Sequence, residues 1–438
     1  MSTQKRNVPK TLLLGFQHLF AMFGATVLVP VLTGLNVSST LLFAGLGTLL
    51  FHFITKGQVP AFLGSSFAFL GGYFALSALP VPEGASWIPY AGLGVFCAGL
   101  LYVLVAQLFR VFGASKVMRY FPPIVTGPII ICIGLTLANS AINNCDDNWL
   151  IAIVAVAVVV VCNIWGKGMI KIIPILLGVV ASYLVAALTG NVDFTRFHEA
   201  AWFGLPFNMN ETVFALFGNG DVSLMISAVI TMMPIALATM VEHIGDMCAI
   251  SSTVGKNFIE KPGLHRSLLG DGAATMLAAL FGAPANTTYG ENTGVLALTK
   301  VYDPFVVRLA AVFAVLFSFS PKFAALIHCM PAATIGGVSL ILYGMISAVG
   351  VRNVVENQVD FTKSRNVLIA AMIMGLAVGV TYAGSIVIPI GSVTISLSGL
   401  AVAALVGIFM NAILPGKDYE FGVNEQGDTS VNFGSRHE

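Results

Sequence analysis

Hydrophobic residues run through this chain in long stretches that contain no Asp, Glu, Lys or Arg. The charge-free runs cover 11–55, 57–82, 84–109, 120–145, 148–166, 172–192, 222–241, 272–290, 323–351 and 366–416. A bilayer core about 30 Å thick requires roughly 20 apolar residues when it is crossed by a helix. Most of these runs therefore predict one membrane-spanning helix each.

The two longest runs are long enough for two spans. The run 11–55 is interrupted by small and polar residues at 34–39, and the run 366–416 is interrupted near Ala383, Gly384 and Ser385. With a shorter segment at 304–321, the pattern predicts about seven spans before the polar stretch 193–221 and about seven after it. Barrel strands would alternate apolar and polar residues, and these runs do not, so the predicted fold class is an all-α polytopic membrane protein.

Composition supports the same fold class. Of the 438 residues, 57% are hydrophobic and 9% are charged, whereas soluble domains are roughly 25% charged. So few charges cannot cover a water-soluble surface of this size. The net charge of +1 provides no field that would attract nucleic acid, so no nucleic-acid partner is expected.

An odd number of spans in each half has a consequence for topology. If the halves are duplicates, seven spans place the second half in the opposite orientation, and inverted repeats are a transporter architecture. We expect a first repeat at 1–192, a polar extracytoplasmic loop at 193–221, a second repeat at 222–415 and a cytoplasmic tail at 416–438.

Basic residues predict the orientation in the membrane. With the N-terminus inside, sixteen lysine and arginine residues fall in cytoplasmic segments, whereas the opposite loops contain only Arg196 and Lys322. Because loops rich in lysine and arginine stay on the cytoplasmic side, both termini are predicted to be cytoplasmic.

Two predicted spans are poor continuous helices. The segment 59–72 (VPAFLGSSFAFLGG) and the segment 284–294 (PANTTYGENTG) each combine proline, glycines and hydroxyl residues, which disfavour helix. Interrupted hydrophobic segments at matching places in two halves indicate a transporter's binding site. An ordinary glycine kink is the alternative for either segment alone.

Acidic residues next to these apolar runs are the candidates for chemistry. Glu242, Asp246 and Glu291 lie in predicted spans, where a carboxylate costs about 2.5–3.5 kcal/mol to insert and is a functional candidate by default. The alternative is that they cap helices beside water. A desolvated carboxyl exchanges protons readily because burial raises its pKa, so these three residues are the predicted proton-coupling groups.

Together these features suit a flat, mostly neutral ligand. Carboxylates accept hydrogen bonds from ring N–H groups, and free peptide N–H groups donate hydrogen bonds to ring carbonyls. Phe67 or Tyr289 can stack on a ring. Tyr343, beside Gly344, is a candidate gate residue, with core packing as the alternative. No G-x-S-x-G, H-E-x-x-H or P-loop pattern is present in the sequence, so we expect neither an enzyme nor a metal or cofactor.

Four segments of the chain resemble the nucleobase–ascorbate transporter family, and in particular its bacterial uracil permeases. They are 17–26 (QHLFAMFGAT), 64–69 (GSSFAF), 242–245 (EHIG) and 286–299, and 291–300 (ENTGVLALTK) fits the family signature. The resemblance runs from about residue 11 to 415. It implies fourteen segments in two inverted repeats, with short strands in segments 3 and 10. It also implies a core domain at about 11–113 and 222–321 and a gate domain at about 120–192 and 323–415.

The resemblance also implies roles for individual residues. Glu242 and Glu291 would bind the N–H and carbonyl edge of a pyrimidine, backbone groups of Phe67 and Gly290 would add hydrogen bonds, and Ser66 and Tyr289 would flank the site. Family members that prefer xanthine or uric acid carry Gln at the position of Glu291, so the acid favours uracil. A homodimer is consistent with the resemblance.

Two positions depart from the uracil permeases of the family. Asp246 stands where they carry histidine, as in many purine-transporting relatives, and Lys300 stands where arginine is usual, which keeps the charge but loses the bidentate fork. With these two exceptions, the resemblance implies a proton-coupled, inner-membrane uracil importer that works by alternating access.

Other functions remain open at this stage. A xanthine, uric acid or other nucleobase symporter is the first alternative, and it is supported by Asp246. An anion carrier is disfavoured because two acids repel anions. An ion channel would require a continuous polar stripe along several spans. An intramembrane enzyme would require a nucleophile–base pair such as Ser65 or Ser66 with His243.

Overall fold

Nearly all of the membrane-embedded chain is helical. The computed structural model describes residues 8–82, 85–218, 220–391, 393–417 and 419, apart from the side chains of Lys10, Glu291 and Leu298. The predicted tail 416–438 therefore lies almost entirely outside the described residues.

The helices before the polar stretch are α1 Val8–Thr33, α2 Val37–Ile54, α3 Leu70–Ser77, α4 Ile88–Phe112, α5 Ala114–Met118, α6 Pro123–Cys145, α7 Trp149–Ile164, α8 Met169–Ile172 and α9 Pro174–Leu188. Those that follow are α10 Thr195–Glu199, α11 Val222–Met232, α12 Ile235–Val254, α13 Leu264–Leu280, α14 Gly290–Thr299, α15 Pro304–Ser318, α16 Pro321–His328, α17 Ala332–Glu356, α18 Ser364–Ala383 and α19 Gly399–Ile413.

Several of these helices can cross a membrane. Within the described residues, seven helical segments are long and apolar enough, with α11 and α12 counted together as Val222–Val254. An eighth is formed if α15 and α16, which meet at 89°, are taken as one bent span. Shorter apolar helices include α7, α9 and α19. The prediction of a mostly helical, multi-pass membrane protein is confirmed.

Both interrupted segments contain a short extended stretch. Strand β1 (Leu63–Ser65) pairs antiparallel with strand β2 (Asn286–Thr288), with Gly64 opposite Thr287. The amide of Ser66 extends the ladder by donating to the carbonyl of Ala285 at 2.8 Å. Peptide groups in a bilayer cannot bond to water, so each broken segment supplies hydrogen-bond partners for the other.

Side chains from neighbouring helices satisfy further peptide groups of the strands. The amide of Leu63 donates to Oγ1 of Thr48 at 2.9 Å, and Oγ1 of Thr275 donates to the carbonyl of Asn286 at 2.8 Å. The Asn286 side chain donates to the carbonyl of Phe43 at 2.9 Å. The strand pair is therefore fastened to α2 on one side and to α13 on the other.

A second pair of strands was not anticipated from the sequence. Strands β3 (Ile386–Ile390) and β4 (Val393–Leu397) form an antiparallel hairpin between α18 and α19. Isoleucine, valine and threonine favour extended structure, but their hydropathy made the segment indistinguishable from the start of a helix. Strand β4 packs on α11, where the amide of Thr394 donates to Oγ of Ser227 at 3.0 Å.

Helix packing connects the two halves of the sequence. The most extensive contacts are α6 with α17, α4 with α13 and α2 with α15. Glycine permits the closest of them: a Cβ at Gly134 of α6 would overlap the carbonyl oxygen of Tyr343 and Oγ of Ser347 in α17. Small residues allow membrane helices to approach in this way, where packing replaces the hydrophobic effect as the driving force.

We expect Gly134→Leu to lower the melting temperature of the purified protein in detergent, because overpacking a tight contact typically costs about 1–3 kcal/mol. The matched control is Gly344→Leu in α17, since an added Cβ there meets nothing within 4 Å. Equal melting temperatures for the two variants in a thermal unfolding assay would contradict the proposed close contact.

Candidate functional site

A cavity of about 580 Å³ reaches the strand pair. It lies between α1, α6, α9, α12, α14 and α17. Five of the predicted site residues line it: Phe67, Glu242, Asp246, Tyr289 and Gly290. The opposite end of the cavity is lined by Lys171, Arg352 and Glu356, and Arg352 is exposed there.

The two acids of α12 face the cavity together. Glu242 is half-buried, and Asp246, one helical turn later, is buried. Oγ1 of Thr288 donates to Oδ2 of Asp246 at 3.0 Å, which fixes that carboxyl against strand β2. The spacing of four residues places both side chains on one face of the helix, as the sequence predicts.

Phe67 lies at the end of β1, where a single 3₁₀ turn (Phe67–Phe69) leads into α3. Its ring is buried and meets the Tyr343 ring edge-on, with the ring centroids 5.7 Å apart. The lining of the cavity includes Met345 and Ile346 of α17 but not Tyr343. Tyr343 thus supports Phe67 from behind, and its role as a gate stays a prediction.

Tyr289 crosses from β2 to β1 and α1. Its hydroxyl donates to the carbonyl of Ser65 at 3.1 Å and lies 3.4 Å from Oγ1 of Thr26. Gly64 makes room for it, because a Cβ at that position would overlap the phenol. Ser66 is fully buried and does not line the cavity, so the structure leaves its predicted contact with a ligand untested.

Gly290 begins α14 beside the acids. A Cβ at Gly290 would lie 3.3 Å from Oδ1 of Asp246, so a glycine keeps this approach open. The first amides of a helix carry partial positive charge and have no partner within the helix, and here they start at the cavity. Glu291 lies in the same first turn, but its side chain is outside the described part of the structure.

A buried hydrogen-bond network behind the cavity holds the start of α14. Oδ1 of Asn292 lies 2.7 Å from Nε2 of His18, and its amide nitrogen donates to the carbonyl of Pro60 at 2.9 Å. His52 similarly contacts the carbonyl of Ala61 at 2.9 Å through Nε2. The histidines of α1 and α2 therefore support the two broken segments. The pairing of His18 with Asn292 could not be predicted from the sequence, because the two residues are 274 positions apart.

The chemistry of this arrangement is that of binding. Ser65 directs its hydroxyl to the carbonyl of Thr26 at 2.8 Å, so it is not paired with His243 as a nucleophile would be. Within the described ranges, no group of three or more His, Cys, Asp or Glu residues is arranged to hold a metal ion. What remains is a cavity with carboxylates, aromatic rings and the start of a helix.

We expect Asn292→Leu to destabilise the protein by about 1–3 kcal/mol, because the substitution leaves the buried partners at His18 and Pro60 unsatisfied. Thermal unfolding in detergent measures the effect. Thr33→Val is the control, since that hydroxyl bonds only within its own helix, to the carbonyl of Val29. A melting temperature of Asn292→Leu no lower than that of the control would show that the network is not structural.

Comparison with known proteins places the chain in a family. The family profile described as "Permease family", for xanthine and uracil permeases, matches residues 9–386. The uracil permease of Bacillus caldolyticus is 44% identical over 413 residues, covering 92% of each chain. That of Bacillus subtilis is 42% identical over 427 residues, covering 94% of this chain and 93% of the relative.

Among solved structures, the murine Slc26a9 anion transporter in the inward-facing state is similar in fold. The TM-score is 0.66 at 10% sequence identity, and the alignment covers 94% of this chain and 69% of the other. At that identity the likeness concerns the fold alone, whereas the profile and the two permeases cover nearly the whole sequence. The chain belongs to the nucleobase–ascorbate transporter family of permeases.

Proposed function

We propose that this protein is a uracil transporter that couples uptake to protons. The observation that carries the proposal is the meeting of Glu242 and Asp246 with the start of α14 in one cavity, beside Phe67 and Tyr289. The relatives named uracil permeases, at 44% and 42% identity, support uracil as the ligand. Membership in a permease family indicates a transporter rather than an enzyme.

The expected contacts follow from the chemistry of the ring. A pyrimidine with two ring N–H groups and two carbonyls presents alternating donors and acceptors. Carboxylates at Glu242 and Glu291 accept from the N–H groups, and backbone amides at Phe67 and Gly290 donate to the carbonyls. Tyr289 and Ser66 flank the ring. Tyr343 holds Phe67 in place and is the proposed gate residue.

Purine bases are the second candidate. Asp246 lines the cavity at the position where the sequence departs from the uracil permeases of the family, and a volume of about 580 Å³ does not by itself exclude a two-ring base. The carboxylate at Glu291 and the names of the relatives favour the pyrimidine.

The proposed conformation is inward-open. The cavity reaches the surface where Lys171 and Arg352 lie, and basic residues mark the cytoplasmic side. The same rule supports both termini in the cytoplasm. Helical rather than barrel spans support a multi-pass protein of the inner membrane. The binding site is then exposed to each side in turn by alternating access. A homodimer remains an expectation from the family.

The proposed architecture is fourteen segments in two inverted repeats, with strands β1 and β2 inside segments 3 and 10. Helix packing supports it, because the contacts occur in pairs that a repeat would relate. Helix α4 packs on α13 as α2 packs on α15, α1 packs on α15 as α11 packs on α4, and α7 packs on α17 as α6 packs on α18. A twofold relation of the halves accounts for all three pairs.

The proposed domains follow from which helices pack together. Helices α1 to α4 pack with α11 to α15, which supports a core domain at about 11–113 and 222–321. Helices α6, α7 and α9 pack with α17 to α19, which supports a gate domain at about 120–192 and 323–415. The cavity lies between the two groups.

Transport in proteoliposomes tests the proposal. We expect labelled uracil to accumulate when the outside is acidic, to be displaced by unlabelled uracil, and to stop accumulating when a protonophore removes the gradient. Uptake of labelled xanthine that unlabelled uracil does not inhibit would favour the second candidate. Uptake of neither base by correctly inserted protein would overturn the proposal, and uptake of uracil without any response to the gradient would overturn proton coupling.

We expect Glu242→Gln to abolish uracil uptake while the protein still inserts in the membrane, because the amide cannot exchange a proton and its NH₂ group opposes a ring N–H. Uptake of labelled uracil at matched protein amounts measures the loss. Glu260→Gln, which neutralises an exposed acid, is the control. Uptake at the wild-type rate by Glu242→Gln would refute the assigned role.

A further inference from the structure

One uncharged polar side chain of α17 approaches α12 at the level of the two cavity acids. A Cβ at Gly245 would lie 3.7 Å from Nδ2 of Asn353 in α17 and 3.6 Å from Cδ1 of Ile130 in α6. Gly245 stands between Glu242 and Asp246 in the sequence of α12, and both the glycine and the asparagine line the cavity. Asn353 therefore brings a carboxamide to the stretch of α12 that carries both acids.

The oxygen of this carboxamide already has partners, whereas its nitrogen has none. Oγ1 of Thr126 in α6 lies 3.5 Å from Oδ1 of Asn353, and Nδ2 of Asn357 lies 3.4 Å from the same oxygen. Nδ2 of Asn357 also donates to the backbone carbonyl of Asn353 at 2.8 Å. Because both neighbours can donate, they hold the carboxamide with its NH₂ group turned toward α12. Within the described part of the chain, that NH₂ group makes no hydrogen bond.

A pyrimidine base offers acceptors that such a donor can bind. Each carbonyl oxygen has two lone pairs, and the contacts proposed above give each ring carbonyl of uracil one backbone amide, from Phe67 or from Gly290. A second lone pair on each carbonyl is left over. An ionised carboxylate only accepts hydrogen bonds, so the acids of α12 cannot fill this need. The NH₂ group of Asn353 can.

The two sides of this approach belong to different proposed domains. Gly245 lies on α12 of the core domain, and Asn353 lies on α17 of the gate domain. Their approach occurs while the cavity opens at the end lined by Lys171 and Arg352. Because alternating access moves the core against the gate, that movement carries Gly245 and the ligand-binding acids away from Asn353. A ligand contact from Asn353 is therefore available in one conformation and not in the other.

We propose that Asn353 donates a hydrogen bond to a ring carbonyl of the bound base while the cavity is open to the cytoplasm. The inference rests on the proposed function, uracil transport by alternating access. It adds a ligand contact from the gate domain to those that the core domain supplies. Its consequence is that Asn353 raises the affinity for the base at the cytoplasmic face alone, and so slows release of the base into the cell.

The experiment measures the half-saturating uracil concentration for exchange at each face, in inside-out and right-side-out membrane vesicles. We expect Asn353→Leu to raise this concentration about threefold to tenfold at the cytoplasmic face, the effect of losing one hydrogen bond. At the opposite face it should stay within about twofold of wild type. Asn163→Leu is the matched control, since Asn163 also lines the cavity but lies at the end of α7. It should change neither value by more than about twofold.

Two monothio analogues of uracil, each with sulfur in place of one carbonyl oxygen, identify the atom that is bound. Sulfur accepts hydrogen bonds more weakly than oxygen, so the analogue altered at the bound carbonyl gains little from Asn353. For that analogue we expect wild type and Asn353→Leu to differ by less than about twofold at the cytoplasmic face. The other analogue should show the full difference seen with uracil. Asn353→Asp keeps the oxygen that faces Thr126 and Asn357 but lacks the NH₂ group, so it should weaken uracil binding at the same face.

Three results would overturn the proposal. An equal loss of affinity at both faces would mark Asn353 as a structural residue. Wild-type affinity of Asn353→Leu or Asn353→Asp at the cytoplasmic face would show that the NH₂ group is not used. A difference of the same size for uracil and both analogues would show that no carbonyl is bound. Failure of wild-type vesicles to exchange uracil at either face would instead contradict the proposed function itself.

Discussion

Every peptide group in the middle of a bilayer needs a protein partner, and this requirement organises the centre of the molecule. Two apolar segments leave helical structure where β1 and β2 meet, so their freed N–H and C=O groups must be satisfied elsewhere. They bond to each other and to the hydroxyls of Thr48 and Thr275, and the Asn286 side chain ties β2 to the carbonyl of Phe43 in α2. Because each strand completes the other, neither half of the sequence can form this centre alone.

The same constraint explains why polar side chains collect there. Asn292, His18 and Tyr289 are buried polar groups in an apolar protein. Each forms hydrogen bonds to a carbonyl, a hydroxyl or another side chain near one of the broken segments. Asn292 and His18 do not line the cavity, Tyr289 lines it while its hydroxyl bonds to the backbone, and Glu242 and Asp246 on α12 line it as well. Support and binding therefore meet at Tyr289.

Much of this could be predicted from the sequence because the signals are local. Span lengths follow from charge-free runs, the broken segments from proline and glycine at 59–72 and 284–294, and the α12 acids from the cost of a carboxylate in lipid. Contacts such as His18 with Asn292 and Thr288 with Asp246 depend on distant parts of the chain meeting. No periodicity within one segment encodes them. The hairpin 386–397 was not predicted, because β-branched apolar residues give a strand the same high hydropathy as a membrane-spanning helix.

The position of that hairpin bears on how the molecule can change shape. Strand β4 belongs to the part of the chain that includes α18 and α19, yet it packs on α11, where the amide of Thr394 donates to Oγ of Ser227. An isolated hydrogen bond contributes only about 0.5–1.5 kcal/mol net. This bond alone therefore resists a sliding of the hairpin along α11 by no more than that amount.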